Sequence, residues 1–320
     1  MVFSSLPFLF LFLTVVLLVS HILPFRFRNF FLLLANLVFY AYGEPVYVLI
    51  MIGSILVNFF AGLLMDKQST QGRRRAVLVV GIVLNLAALG VFKYAGLFVS
   101  TLREIPGLSS LPEVDIALPI GISFYTFQAV SYLIDVYWDD CAASHNLINF
   151  ASYISLFPQL IAGPIVRYKD VNEQLVSRRE TPTLFNSGVR LFVVGLAKKV
   201  LLANQFGMLW DAMSADPVAA GALGAWAGAC AYTLQIYFDF AGYSDMARGL
   251  GRMLGFEFCI NFNYPYISKS VTEFWRRWHI SLSTWFRDYV YFPLGGSRVD
   301  SRAKHIRNLF VVWLLTGIWH

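Results

Sequence analysis

The chain has 320 residues, of which 58% are apolar and 14% carry a charge, and its formal net charge is +6. Soluble domains contain about 25% charged residues, so this composition excludes an ordinary soluble domain and indicates a membrane protein. The Lys and Arg residues lie in short gaps between apolar runs. The positive charge is therefore a sign of membrane topology and does not point to a nucleic acid as partner.

Apolar runs that suit membrane helices recur along the whole chain. The first, at 6–23, is longer than the apolar core of a cleavable signal and follows no Lys or Arg, so we expect a first span there. Later runs lie near 29–42, 46–65, 76–100, 116–137, 149–166, 184–210, 221–240 and 306–320. We find no internal repeat and no low-complexity linker. The pattern predicts an all-α, polytopic transmembrane helical bundle that forms a single membrane domain over residues 1–320.

The charges between the runs alternate in a way that predicts topology. Arg26 and Arg28 follow the first run and a basic gap at 67–75 follows the third, whereas acids appear in the gaps after the second and fourth runs. Basic loops stay in the cytoplasm, so we expect an extracytoplasmic N-terminus. The gap at 167–179 is also basic, and run 149–166 contains Pro158 and Pro164. We therefore predict that this run is re-entrant or half-buried.

A dense block at 264–296 combines aromatic and charged residues. Trp275, Trp278 and Trp285 follow helical spacing, and Glu273 and Arg277 are four residues apart. These spacings predict one interfacial helix with an aromatic stripe. Composition alone favours an anchoring helix whose arginines contact lipid phosphates.

A second polar segment, at 235–248, places Asp239 and Asp245 among aromatic residues at the end of an apolar run. Acids inside a membrane are usually either paired or part of a mechanism. Here they would pair with Arg248, Arg252 or backbone donors, or they would serve a functional site. Both alternatives stay open at this point.

The last run ends on His320, about 22 Å of helix after Ile306. An imidazole and a chain terminus at that depth would cost several kcal/mol unless they were paired. We therefore expect the protein to be incomplete at His320 and this histidine to be functional. A packed histidine that bonds to a backbone carbonyl is the alternative from the residues alone.

Four segments, in order, resemble the membrane-bound O-acyltransferase family, in its bacterial branch that acetylates alginate. They are MVFSS followed by FLFLFL, then QIYFDFAGYSDMARGLGRMLGF, FWRRWHISLSTWFRDYVYFPLGG, and the terminal TGIWH. The chain also resembles, more distantly, the family that exports D-alanine to teichoic acid. The resemblance implies two functional histidines, His279 and His320, with His320 as the catalytic base. Imidazole titrates near neutrality, which suits removal of a hydroxyl proton during acyl transfer.

The same resemblance implies an acyl-transfer route across a bacterial inner membrane. We expect the acyl donor to be an acyl-CoA or acyl-carrier thioester, used as a co-substrate, with no bound cofactor and no metal. The residues proposed for donor binding are Arg276, Arg277, Trp278 and Arg287. Those proposed to line or support the tunnel are Gln235, Asp239, Tyr243, Ser244, Asp245 and Trp319. Expected partners are the lipid bilayer, a polysaccharide acceptor, and periplasmic acetyltransferase or carrier proteins, and we expect no nucleic acid.

Other functions would also suit a polytopic chain with intramembrane acids. They are D-alanyl or other acyl export to a cell-envelope polymer, a transporter, and a non-enzymatic scaffold of a polysaccharide complex. A transporter would show broken helices in two related halves, which we do not find in the sequence.

Overall fold

In the computed structural model, which describes residues 2–161 and 163–319, all regular secondary structure is helical. The helices, in chain order, are α1 (Pro7–Ile22), α2 (Phe25–Gly43), α3 (Val48–Asp66), α4 (Gln71–Arg103), α5 (Ile122–Tyr137), α6 (Leu147–Ser155), α7 (Phe157–Leu160), α8 (Tyr168–Ser177), α9 (Pro182–Ser214), α10 (Pro217–Met253), α11 (Val271–Trp275), α12 (Ile280–Phe286) and α13 (Arg302–Trp319). The predicted all-α class is confirmed.

Local sequence explains where the two longest neighbouring helices begin. The Thr181 hydroxyl accepts the Leu184 N–H, and Pro182 follows it as the first residue of α9. The Asp216 carboxylate accepts the N–H groups of Val218 and Ala219 at the start of α10. Short polar side chains at this position replace the missing partners of the first helical N–H groups.

Three helices of the described ranges, α3, α4 and α9, are long and apolar enough to cross a bilayer, and α1 is a shorter apolar helix. They contain 19, 33 and 33 residues, whereas a span needs about 20. Their outward faces are rich in exposed apolar side chains. The chain is thus a multi-pass membrane protein.

The chain forms two compact units. The first contains residues 2–28, 163–166 and 176–287, and the second contains 29–161, 167–175 and 288–319. The single domain that we expect from the sequence stays a prediction. Each unit is described separately below.

In the first unit, α9 packs along α10 through glycines. Gly188 and Gly195 on α9 lie against Gly249 and Gly242 on α10, so the two backbones approach closely. A Cβ built on Gly195 would lie 2.6 Å from the Gly242 carbonyl oxygen. Such small residues allow the close helix contacts that dispersion forces need inside a membrane, where lipid tails are as apolar as the side chains.

In the second unit, α3, α4 and α5 pack together, and α6 packs on α3 and α5. Asn58 on α3 and Asn85 on α4 form a buried pair in which each amide donates to the other, at 3.0 and 2.7 Å. Tyr132 on α5 lies directly against Gly62 on α3. Interhelical amide bonds and small residues of this kind stabilise membrane bundles.

The segment from α6 to α8 turns back on itself, which is the geometry that a re-entrant segment requires. The nine residues of α6 reach about 14 Å, too short for a crossing, and the helix stops at Leu156, whose ψ is 107°. Before α6, the Ser144 N–H donates to the Tyr132 hydroxyl at 3.0 Å. After α7, the Tyr168 ring lies 5.1 Å from the Tyr132 ring. Both ends of the segment therefore lie at the same end of α5.

Ion pairs join the polar gaps at that end of the second unit. Arg74 pairs with Asp139 at 2.6 Å, and Lys169 donates to Asp135 at 2.8 Å and to Asp140 at 3.0 Å. Burial lowers the pKa of Lys169, but its hydrogen bonds to the two carboxylates outweigh this effect and raise the pKa above the ordinary lysine value. The basic gaps at 66–75 and 167–175 thus lie together. The cytoplasmic location of this end stays a prediction.

Candidate active site

The block around His279 is two short helices, and the prediction of one continuous helix is wrong. Helix α11 ends at Trp275 and α12 begins at Ile280, with His279 between them in the left-handed region at φ 42° and ψ 55°. The chain turns here because residues 277–280 pair with residues 261–263. The Asn263 N–H donates to the Arg277 carbonyl, and the Ile280 N–H donates to the Asn261 carbonyl, both at 2.9 Å.

The His279 imidazole is buried, with 4% of the residue exposed. Its Nδ1 lies 3.1 Å from Asn261 Oδ1, and the Phe240 ring meets the imidazole edge to face at 4.7 Å between centroids. Asn261 Oδ1 also accepts the Ser281 N–H at 3.2 Å and the Ser281 hydroxyl at 2.9 Å. The Ser281 hydroxyl in turn accepts the Ile165 N–H at 3.0 Å. A non-glycine residue with positive φ held by such a network is typical of functional sites.

Aromatic rings surround Trp278. Its ring lies within 5.1 to 6.3 Å of four other rings, those of Tyr237, Phe262, Tyr266 and Phe274. Trp278 therefore packs in an aromatic cluster beside His279 and does not continue a regular stripe along one helix.

The proposed donor-binding arginines occupy two places. Arg277 bonds to Glu273 at 3.0 Å, which confirms the predicted i,i+4 pair, and also to the Asn263 carbonyl. The hydrogen bond from the Lys269 N–H is the main reason that the pKa of Glu273 lies below its ordinary value, and the hydrogen bond from the Arg277 guanidinium lowers it further. Arg276 is exposed beside this pair. Arg287 is also exposed, but it follows the far end of α12, a helix about 10 Å long.

Both acids of α10 are paired with lysines of α9. Asp239 pairs with Lys199 and Asp245 with Lys198, each at 2.6 Å, and Asp245 also lies 3.4 Å from Arg248. From the sequence we named Arg248 as a candidate partner of these acids, but we did not identify the two lysines as their counter-ions. Lys198 begins a wider, π-helical turn in α9. Irregular turns of this kind often occur at functional positions.

Three other residues proposed for the tunnel lie on the same helix. Each of them has a buried side-chain oxygen that makes no hydrogen bond within the described part of the chain: Gln235 Oε1, Tyr243 Oη and Ser244 Oγ. The Tyr243 ring stacks on Phe3 at 4.6 Å. Buried polar atoms in folded proteins almost always have a hydrogen-bond partner. The three oxygens therefore indicate polar or ligand-bearing surroundings.

Trp319 belongs to the second unit, where its ring lies 3.8 Å from that of Phe127. Its carbonyl oxygen accepts from the Lys93 ammonium, and the neighbouring Ile318 carbonyl accepts from the Tyr94 hydroxyl. The predicted catalytic residue His320 follows directly but lies outside the described residues. The sequence analysis did not consider Lys93, although a lone lysine in an apolar run needs a partner.

Comparison with known proteins decides the family. The model of the membrane-bound O-acyltransferase family matches residues 139–320, more than half of the chain. The chain belongs to this family. The match covers the His279 block, α13 and His320, and it confirms the resemblance seen in the sequence motifs.

Three curated relatives match this chain over 63% to 100% of its length. The chain is 49% identical to a probable alginate O-acetylase AlgI of Pseudomonas aeruginosa over 326 residues, which cover 100% of this chain and 62% of the relative. It is 35% identical to a peptidoglycan O-acetyltransferase of Helicobacter pylori, over 92% of this chain and 60% of the relative. A teichoic acid D-alanyltransferase of Streptococcus thermophilus is 33% identical over 63% of this chain and 51% of the relative. The chain thus spans less than two thirds of the length of these relatives.

Proposed function

We propose that this protein is a membrane O-acetyltransferase that moves an acetyl group from a cytoplasmic thioester toward hydroxyls of an extracytoplasmic polysaccharide such as alginate. The observation that carries the proposal is the 49% identity to an alginate O-acetylase along the entire chain. The buried, hydrogen-bonded His279 within the matched family region supports it.

The proposed reaction is acyl transfer from sulfur to oxygen. The acceptor hydroxyl oxygen attacks the thioester carbonyl carbon while His320 takes the hydroxyl proton. The carbon–sulfur bond then breaks, and the proton held by His320 passes to the leaving sulfur, so that the thiol departs and the histidine is neutral again. General-base catalysis of this kind contributes about 10²- to 10⁴-fold. His279 would orient His320 or polarise the thioester carbonyl.

The donor side would be formed by Arg276, Arg277, Trp278 and Arg287. Guanidinium groups suit the phosphates of an acyl-CoA or acyl carrier, because they bind phosphate oxygens in a bidentate manner. Since Glu273 already holds Arg277, the exposed Arg276 is the better candidate for direct phosphate contact. Its replacement by Gln should raise the donor KM and leave membrane insertion unchanged, whereas an unchanged KM would leave only the anchoring role.

The acceptor side would lie across the membrane, with the N-terminus extracytoplasmic by the positive-inside rule. The buried polar atoms of Gln235, Tyr243 and Ser244 support a polar route along α10. Asp239 and Asp245, with their lysines, would support its wall. Trp319 stays a candidate for tunnel support from the sequence. Periplasmic acetyltransferase or carrier proteins would complete delivery to the polymer.

D-alanyl transfer is the second candidate. The 33% identity to a teichoic acid D-alanyltransferase favours it, but that match covers 63% of the chain. The same histidines and thioester chemistry would serve, so the acyl group itself must be measured.

The test is replacement of His320 by Ala and His279 by Gln, with transfer of labelled acetyl and D-alanyl groups followed in membranes. We expect acetyl transfer to a mannuronate-type oligosaccharide to fall at least 100-fold in His320→Ala, in line with loss of a general base. Assembly with partner proteins is measured separately by co-purification. Loss of transfer with intact assembly supports the enzyme, whereas unchanged transfer in both variants contradicts it.

A further inference from the structure

The hydrogen bonds around His279 determine which ring nitrogen carries the proton. A backbone N–H can only donate, and the Ser281 N–H points at the Asn261 side chain at 3.2 Å. The Asn261 atom that accepts this N–H must be the amide oxygen and not the amide nitrogen. This requirement fixes the orientation of the Asn261 side-chain amide.

That oxygen faces His279 Nδ1 at 3.1 Å. If Nδ1 carried a lone pair, two acceptors would oppose each other at hydrogen-bond distance. The Ser281 hydroxyl lies 3.5 Å from Nδ1 but only 2.9 Å from Asn261 Oδ1, and it accepts from Ile165 on its other side. Its proton is thus directed to Asn261, and Nδ1 must be a donor.

We propose that Asn261 is a positioning residue that keeps a proton on His279 Nδ1, so that in the neutral imidazole Nε2 is the nitrogen able to accept a proton or a hydrogen bond. The bond made by one ring nitrogen sets the chemistry of the other. The catalytic consequence rests on the proposed acyl-transfer function, but the tautomer does not. No sequence motif assigns this role, since Asn261 lies 18 residues before His279.

Asn261 also has a structural task. Its backbone carbonyl and its side-chain oxygen accept the first two N–H groups of α12, those of Ile280 and Ser281. Loss of activity in an Asn261 variant would therefore not separate a helix cap from tautomer control. A direct reading of the tautomer is needed.

The experiment is NMR of the protein with ¹⁵N-labelled histidine in detergent micelles at pH 8, with the His279 signals assigned from His279→Gln. We expect Nδ1–H in the wild type and in Asn261→Asp, which keeps the acceptor, and Nε2–H in Asn261→Leu, which removes it. Ser281→Ala is the matched control, because it loses a network hydroxyl but keeps the backbone cap, and it should retain Nδ1–H.

In the transfer assay, Asn261→Leu should lower kcat at least tenfold with little change in donor KM, and Asn261→Asp should restore most of it. A wrong tautomer in a Ser-His-Asp enzyme costs about 10⁴-fold. An Nε2–H wild type overturns the inference even if Asn261→Leu does not fold, and so does an unchanged tautomer in Asn261→Leu. Full transfer activity in His279→Gln would refute its part in the proposed function and leave the tautomer result standing.

Discussion

The close crossing of α9 and α10 predicts that Gly195→Ala destabilises the first unit. The added Cβ would lie 2.6 Å from the Gly242 oxygen and 2.7 Å from the Met246 nitrogen, both of them backbone atoms. Ordinary contact begins at 3.4 Å, so the helices must separate by about 0.8 Å. A gap of that size removes a quarter to a half of the dispersion attraction between facing atoms.

Overpacking of this kind costs about 1–3 kcal/mol, and the better helix propensity of Ala returns up to about 1 kcal/mol. With the full offset, we therefore expect a net loss of up to about 2 kcal/mol, which lowers the apparent melting temperature by up to about 5 °C. The measurement is thermal unfolding of the purified protein in detergent, followed by size-exclusion chromatography.

Gly90→Ala on α4 is the matched control, because a Cβ there meets no atom within 4 Å. It should leave the melting temperature unchanged or raise it slightly. Equal melting temperatures for Gly195→Ala and Gly90→Ala would refute the argument that backbone contact at this crossing stabilises the unit.

Three further predictions concern the second unit. Tyr289→Phe removes a hydroxyl that donates its one proton to the buried Asp135 carboxylate, whose two oxygens both lie 2.8 Å from it, and it should cost about 1.5–3 kcal/mol in thermal unfolding. Asn308→Ala leaves two carbonyls in the turn before α13 without their amide donor, and it should cost about 1–3 kcal/mol in the same assay. Single cysteines at His145 and Glu173 should react with an impermeant thiol reagent from the same side of the membrane, because the intervening segment is re-entrant.

The controls for these predictions come from the same chain. Tyr42→Phe, at a side chain that is 65% exposed, should not change the melting temperature, and a similar loss there would contradict the Asp135 argument. The labelling needs a background without Cys141, Cys230 and Cys259, none of which forms a disulfide within the described residues. Reaction of one engineered cysteine from each side would contradict the re-entrant segment.

The sequence by itself determined the class of this protein. Apolar runs and sparse charges predicted a helical membrane protein. The two prolines of run 149–166, together with the basic gap that follows it, predicted the re-entrant segment. The pair of Glu273 and Arg277 also follows from spacing alone. These features are local, because hydropathy, helical periodicity and backbone restrictions act within a few residues.

Only the tertiary structure decided how the site is built. A regular aromatic spacing predicted a single helix through His279, but pairing of residues 261–263 with 277–280 breaks it there. The partner of His279 comes from 18 residues upstream, and the counter-ions of Asp239 and Asp245 come from a neighbouring helix. Buried polar and charged groups must find partners wherever the fold supplies them. The partner depends on how the backbone brings distant segments together, which no local spacing of residues records.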